Sequence, residues 1–188
     1  MKVLVVAGGT GGHLYPAVAL VNQLRRKVPH PVILWIGGKK DMEKRVVEKE
    51  NVRFKSINVL PFPRDSYLKW PSFLFQMIIS FVQSFGYVFA FKPEVVVGMG
   101  SFHSYPVVIS AYLLGIPIIV CEQNVYPSLT NKMLLPFVSK VALSFSKSVE
   151  YLSSKSREKA VVTGNPVRES ILITERNQAI RRLDLEEG

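Results

Sequence analysis

Short apolar runs alternate along the chain with longer segments in which apolar residues recur every three or four positions. The runs are rich in β-branched residues and lack strict alternation with polar ones, which is typical of strands covered on both faces. The predicted strands lie near 2–7, 32–36, 52–59, 94–98, 117–121, 138–143 and 159–163. The predicted helices lie near 14–27, 40–49, 72–90, 104–114, 128–135 and 146–153. This alternation predicts an α/β fold with a doubly wound, mainly parallel sheet and right-handed crossovers.

Glycine-rich or polar sequence follows four of the predicted strands. The four segments are Gly8-Gly9-Thr10-Gly11-Gly12-His13, Gly98-Met99-Gly100-Ser101-Phe102-His103-Ser104, Glu122-Gln123-Asn124 and Gly164-Asn165-Pro166-Val167-Arg168. In open parallel sheets, ligands bind beyond the carboxyl ends of the strands. Because these segments converge at one edge of the predicted sheet, they predict a binding site there.

The first glycine loop suits a phosphate or a diphosphate. Glycines allow a sharp turn and a close approach to the backbone amides, and the next helix adds free N–H groups and partial positive charge at its N-terminus. The alternative is a tight turn without a ligand. Two familiar motifs do not fit: Leu14 stands where the dinucleotide fingerprint needs its third glycine, and the Gly-Lys-Ser/Thr of the triphosphate P-loop is absent from the sequence.

His13 is the candidate general base. It falls at the first turn of the predicted helix, beside the expected ligand, and histidine exchanges protons near neutral pH. A capping or packing histidine is the alternative. Gly98 and Gly100 repeat the glycine loop at the fourth strand, where a plain turn is the alternative. The three polar residues after the fifth strand suit sugar hydroxyls, or they serve only local turn and cap chemistry.

Residues 70–91 contain no charged side chain, and these 22 residues are enough to span a bilayer. Uncharged polar residues fall on one side of a helical wheel, and the rest is apolar. Three interpretations stay open: a crossover helix buried against the sheet, the same helix with an apolar face on a membrane, and a transmembrane span that would separate the third and fourth strands. On a membrane, apolar residues would insert shallowly while nearby cations meet anionic lipid. The expected contacts are Phe73, Met77, Phe81 and Phe85.

Composition narrows the class of protein. A chain of 188 residues, 48% of them hydrophobic, can bury the core of one good-sized domain. The single cysteine, Cys121, builds neither a disulfide framework nor a cysteine metal site and is interpreted as a small core residue. No metal site is predicted. No secretory signal precedes the first strand, whose apolar run Gly8 cuts short, so a cytoplasmic protein is expected.

The net charge of +10 and the pI of about 9.8 indicate an anionic partner. Nucleic acid, a phosphorylated substrate and an anionic membrane surface would each fit. More than half of the Lys and Arg residues lie in residues 1–70, but they form no dense basic run there and no RNA-binding aromatic signature accompanies them. Nucleic acid is therefore disfavoured as the partner.

In order and spacing, these motifs resemble the MurG family, the peptidoglycan glycosyltransferases of GT-B type in glycosyltransferase family 28. The resemblance rests on Gly8 to His13 followed by Pro16 and Ala17, and on the three later segments described above. It covers nearly the whole chain and implies the N-terminal, acceptor-side half of a fold with two Rossmann-like domains. Residues 1–168 are then expected to form the acceptor-binding domain, and residues 169–188 a helical linker toward a C-terminal donor-binding domain.

The resemblance also implies a reaction. The family transfers N-acetylglucosamine (GlcNAc) from UDP-GlcNAc to the 4-hydroxyl of the N-acetylmuramic acid (MurNAc) of lipid I, the undecaprenyl-diphosphate-linked MurNAc-pentapeptide. The product is lipid II, and the transfer is inverting, metal-independent and free of cofactors. It takes place on the cytoplasmic face of the cell membrane, where the apolar face of helix 72–90 matches the family's membrane-association surface.

Residue roles carry over from the family by motif. The loops at 8–12, with Gly9, and at 98–101, with Gly98, Gly100 and Ser101, would hold the lipid I diphosphate, and His13 would be the base. Other residues match family positions that reach the donor across the cleft. These are Thr10, Gly11, Gly12, Asn124 and Arg168.

Two residues depart from the family pattern. Ser101 stands where many members have a further glycine, so the second loop is expected to be less open, and Cys121 stands where a histidine is common.

One alternative function stays open, a membrane-docked acceptor-binding subunit that needs a separate catalytic chain. A cofactor-dependent oxidoreductase is opposed by the failed dinucleotide spacing.

Overall fold

The computed structural model describes residues 1–60, 62–63 and 67–172, and all seven predicted strands are confirmed within them. The strands are β1 Lys2–Val6, β2 Val32–Gly37, β3 Arg53–Ser56, β4 Val95–Gly98, β5 Ile118–Glu122, β6 Lys140–Leu143 and β7 Ala160–Val162. They form one sheet in the order β3-β2-β1-β4-β5-β6-β7, and every pairing is parallel. The doubly wound, Rossmann-like α/β fold predicted from the sequence is therefore confirmed.

The helices follow the predicted alternation with strands, with differences at their ends. They are α1 Gly11–Lys27, α2 Asp41–Lys49, α3 Trp70–Phe91, α4 Ser104–Leu113, α5 Leu129–Leu134, α6 Ser154–Arg157 and α7 Glu169–Leu172. α1 begins three residues earlier than predicted, so the last glycines of the first loop lie within its first turn. The helix predicted near 146–153 is a 3-10 helix, Ser146–Tyr151. Most of the predicted linker, from residue 173 onward, lies outside the described residues.

The core consists of two apolar layers, one on each face of the sheet. Successive residues of a strand point to opposite faces, so β1 contributes to both layers. Leu4 and Val6 pack in the layer covered by α3, α4 and α5, whereas Val3, Val5 and Ala7 pack in the layer covered by α1 and α2. The central strands are therefore buried on both faces, which is why their sequences are continuous apolar runs.

Helix α3 buries several small polar residues and exposes several large apolar ones. Its small polar residues face the protein: Ser80 and Ser84 are fully buried, and the Gln76 amide and the Ser80 hydroxyl both donate hydrogen bonds to the carbonyl oxygen of Asn58. Phe73 and Val88 are buried as well, but other large apolar residues face outward. The exposed ones are Leu74, Phe75, Ile78, Val82 and Phe89. We call these five residues the α3 apolar row.

The position of α3 selects among the three interpretations of the uncharged stretch. The helix joins β3 to β4, which lie in the same sheet, and it packs along α4. In the described part of the chain, one helical segment is long and apolar enough to cross a membrane by length and composition. It is Tyr67–Phe91, which comprises α3 and the short 3-10 turn before it. Its apolar 18-residue stretch has a mean hydropathy of 1.6, and 22% of that stretch is buried. The structure thus supports a crossover helix that keeps an exposed apolar face.

The structure corrects one residue that the sequence placed on that face. Phe73 is only 8% exposed, and its ring packs edge-on against Phe62 and Trp70, with centroid distances of 5.7 and 5.9 Å. It faces inward because it shares a helical stripe with the buried serines. The other three expected membrane contacts, Met77, Phe81 and Phe85, are half-buried.

Cys121 gives a direct test of this packing. The side chain is 8% exposed in the layer under α1, and burial raises the pKa of the thiol to about 12. Because the thiolate is the reactive species, the native chain should react with a thiol reagent at pH 8 far more slowly than the chain unfolded in guanidinium. A matched control is Ser154→Cys in a Cys121→Ala background, which places the thiol at the exposed first residue of α6 and should react at once. Rapid, complete labelling of Cys121 in the native chain would contradict the described core.

Candidate functional site

A cavity of about 670 Å³ opens at the carboxyl ends of β1 and β4. These strands are neighbours in the sheet, and the strand order reverses between them, which is where doubly wound folds bind ligands. The register pairs Val6 with Gly98, so both following loops start at the same level. Five of the predicted site residues line the cavity, and they are Gly9, Thr10, His13, Gly100 and Ser101. Lys40 and His103, which the sequence analysis did not single out, line it as well.

The N-terminus of α1 faces this cavity without an internal cap. Gly9 turns the chain with a φ of 91°, and Thr10, the N-cap residue, makes no capping hydrogen bond through its side chain. The first turn of α1 contains no acidic residue, whereas its last turn contains Arg25, Arg26 and Lys27. No acidic or capping side chain of the helix itself therefore balances the partial positive charge at its N-terminus, as expected of an anion site.

The backbone of Gly9 forms hydrogen bonds with two side chains at the start of α2. Its N–H donates to Oε1 of Glu43 at 2.7 Å, and its carbonyl oxygen accepts from Nζ of Lys40 at 2.9 Å. Gly9 therefore shapes the loop and lines the cavity, but its N–H already has a partner. The N–H groups of Gly11 and Gly12, at the start of α1, have no partner within the described ranges, but neither residue lines the cavity.

Two histidines contribute to the cavity wall. Nδ1 of His13 and Nδ1 of His103 are both buried and have no hydrogen-bond partner among the residues described. Burial lowers the pKa of His103; the charges of Lys40 and His13 act in the same direction, while Glu43 opposes them. The His103 imidazole is therefore neutral at physiological pH. The sequence signal for His103 was its position just after the second glycine loop, which the motif analysis passed over.

The second glycine loop packs closely against Asn131 of α5. Gly100 has a φ of 81°, and a Cβ there would lie 2.8 Å from the side-chain nitrogen of Asn131, so only glycine fits. Ser101 is 5% exposed, and its hydroxyl oxygen has no partner among the described residues. Gly98 ends β4 and lies against Val120 and Ser104 rather than in the cavity wall.

Glu122 organises the loop after β5 and does not face the cavity. Its carboxylate is 1% exposed: one oxygen accepts from the backbone and side-chain nitrogens of Asn124, at 2.9 and 3.0 Å, and the other from Ser128 N and Asn131 Nδ2, at 2.7 and 2.8 Å. Gln123 is half-buried, with both amide atoms unpartnered within the described ranges. The network fixes Asn124, which is itself exposed.

The residues expected to reach the donor lie outside the cavity, apart from Thr10. Gly12, Asn124 and Arg168 are exposed, and Gly11 is half-buried. The Arg168 guanidinium stacks over the ring of Tyr15 on α1, 4.3 Å from its centroid. The predicted site residues thus divide into a cavity set around His13 and Ser101, an exposed set, and a group buried or half-buried outside the cavity that includes Gly98, Glu122 and Gln123.

Comparisons with known proteins agree with this geometry. Residues 3–143 match the model of the glycosyltransferase family 28 N-terminal domain. Two relatives bear the name UDP-N-acetylglucosamine–N-acetylmuramyl-(pentapeptide) pyrophosphoryl-undecaprenol N-acetylglucosamine transferase. The protein from Halothermothrix orenii is 43% identical over 188 residues, 100% of this chain and 50% of the relative. The protein from Bacillus subtilis is 36% identical over 187 residues, 100% of this chain and 51% of the relative.

Solved structures show the same fold. MurG of Acinetobacter baumannii superposes with a TM-score of 0.72 and 26% identity, covering 89% of this chain and 46% of the other. A UDP-GlcNAc 2-epimerase from Neisseria meningitidis, bound to UDP-GlcNAc, superposes with a TM-score of 0.70 over 98% of this chain and 51% of the other, but at 16% identity it shows the fold alone. The chain spans about half the length of the curated relatives that it matches. With the family model covering most of its length, the chain belongs to glycosyltransferase family 28, as the N-terminal domain of that family.

Proposed function

We propose that this chain is the acceptor-binding half of an inverting glycosyltransferase, which transfers GlcNAc from UDP-GlcNAc to the MurNAc 4-hydroxyl of lipid I and so forms lipid II in peptidoglycan synthesis. The names of the relatives support this reaction. The main support within the chain is the cavity at the ends of β1 and β4, where an uncapped helix N-terminus, Lys40 and two histidines meet. This combination suits the diphosphate of a lipid-linked sugar.

In the proposed reaction, His13 removes the proton from the 4-hydroxyl as that oxygen attacks C1 of GlcNAc. The new O4–C1 bond forms while the bond from C1 to the UDP oxygen breaks, so UDP leaves and the anomeric configuration inverts. His13 suits this role because its Nδ1 is buried in the cavity wall without a partner among the described residues. Neither a metal nor a cofactor takes part in the proposed step.

The donor half of the site is proposed to lie on a second domain. Glycosyl transfer needs donor and acceptor together in a cleft that excludes water. Gly12, Asn124 and Arg168 lie outside the cavity and are exposed, so such a domain can reach them. We therefore expect the 188-residue chain to bind the acceptor without turning it over.

The α3 apolar row is proposed to dock on the anionic cytoplasmic face of the membrane that holds lipid I. Phe75, Ile78 and Val82 are 67%, 63% and 62% exposed, and nothing in the described part of the chain covers them. Lys69 precedes the helix and Lys92 caps its end. Apolar side chains that insert shallowly between flanking cations are typical of peripheral binding to anionic lipid.

Replacing His13 tests the proposed chemistry. In the two-domain enzyme that the proposal implies, His13→Ala should lower kcat by roughly 10²–10⁴, the usual contribution of general acid–base catalysis. The measurement is the rate of lipid II formation from UDP-GlcNAc and a lipid I analogue. The matched control is His30→Asn, which changes an exposed histidine and keeps a residue tolerant of the local φ of 46°. Near-normal turnover by His13→Ala would remove His13 from this role.

Replacing the α3 apolar row tests membrane docking. The triple variant Phe75→Ser, Ile78→Ser and Val82→Ser should bind anionic phosphatidylglycerol vesicles at least roughly tenfold more weakly, because it loses most of the apolar area available for insertion. The measurement is co-sedimentation with vesicles. Val162→Ser, on edge strand β7 and 50% exposed, serves as the control and should bind as the unmodified chain does. Equal binding by the triple variant would rule out α3 as the docking surface.

A further inference from the structure

Glu43 is a buried carboxylate to which the proposed reaction gives no role. It lies in α2 and is 1% exposed, yet no cation within the described ranges forms an ion pair with it. A carboxylate removed from water is costly unless hydrogen bonds satisfy it. The structure shows where its two oxygens are satisfied, and both partners are backbone amides.

The two amides belong to different loops. Oε1 of Glu43 accepts from the N–H of Gly9 at 2.7 Å, and Oε2 accepts from the N–H of Gly38 at 2.6 Å. The carboxylate therefore ties the loop after β1 to the loop after β2. Lys40 adds a third tie when its ammonium donates to the carbonyl oxygen of Gly9. The first glycine loop is thus held on both its N–H and C=O sides.

Neighbouring glycines make room for this carboxylate. A Cβ at Gly8 would lie 2.6 Å from Oε2 of Glu43, and a Cβ at Gly37 would lie 2.9 Å from the same atom. At Gly38, a Cβ would lie 3.2 Å from Oε1 and 2.7 Å from Nε2 of His103. These glycines serve the close approach of Glu43 and His103 to the backbone, since φ at all three is in the ordinary range.

We propose that Glu43 is a positioning residue for acceptor binding: its carboxylate fixes the first glycine loop against the β2–α2 loop and so holds Gly9, Thr10 and His13 at the cavity wall. This inference rests on the proposed function. The carboxylate occupies the N–H of Gly9, so this N–H is not available to an anion in the cavity.

The test compares acceptor binding by variants of the 188-residue chain. Glu43→Gln keeps the shape but replaces one accepting oxygen with an NH₂ group that cannot accept. It should bind a lipid I analogue with a short polyprenyl chain roughly 10–100-fold more weakly, the effect of losing a hydrogen bond to a charged group. The matched control is Glu48→Gln on the same helix, where the carboxylate is exposed and pairs with Lys44. The control should bind like the unmodified chain.

Two further readouts separate positioning from general stability. Protection of Cys121 from thiol reagents reports whether each variant is folded, and amide NMR signals of Gly9 and Gly38 report the two ties directly. We expect Glu43→Gln to stay folded, to shift both glycine amides and to lose acceptor affinity. Glu43→Asp keeps the charge but is too short to reach both loops, so it should also bind weakly, and it replaces Glu43→Gln if that variant does not fold.

The outcomes are distinct. Unchanged acceptor affinity in a folded Glu43→Gln chain overturns the positioning role while leaving the proposed function standing. Full acceptor affinity in Glu43→Asp overturns the positioning role too, because a carboxylate too short to join the two loops would then support acceptor binding equally well. Failure of the unmodified chain to bind any lipid I analogue overturns the proposed function, and the role of Glu43 in acceptor binding with it.

Discussion

The site depends on the close approach of loops from adjacent parallel strands, which glycine makes possible. β1, β2 and β4 end at one level in the sheet, so the backbone segments that follow them crowd into the same space. Side chains enter that space where glycines leave room: Glu43 and His103 against Gly8 and Gly38, and Asn131 against Gly100. The glycine motifs therefore build the walls of the cavity as well as admitting a ligand, which a motif-based interpretation alone does not reveal.

Much of the fold could be predicted because buried parallel strands have a distinctive sequence. Val3 to Val6 and Val95 to Val97 are continuous apolar runs, and their alternation with helices left one architecture to consider. The orientation of α3 could not be predicted in the same way. Its periodicity showed a polar stripe, but periodicity does not tell which stripe faces the protein. Here the polar stripe faces inward because Gln76 and Ser80 donate hydrogen bonds to the carbonyl oxygen of the half-buried Asn58.

The candidate site was predicted in outline but not in its electrostatics. His13, Gly9, Thr10, Gly100 and Ser101 meet as the motifs indicated. Glu43 and Lys40 come from the start of α2, 34 and 31 residues along the chain from Gly9, and only tertiary packing brings them to it. Glu122 shows the opposite case, since a carboxylate that seemed suited to sugar hydroxyls has both oxygens satisfied by its own loop. The division into a cavity set and an exposed set follows from burial, which spacing does not encode.

Calorimetric titration of the 188-residue chain with a lipid I analogue, and in parallel with UDP-GlcNAc, tests the central claim most directly. The account predicts saturable binding of the acceptor analogue and weak or no binding of the donor, because the cavity suits a lipid-linked diphosphate and the exposed set needs a partner domain. Tight binding of UDP-GlcNAc without acceptor binding would contradict the account and assign the glycine loops to the other substrate.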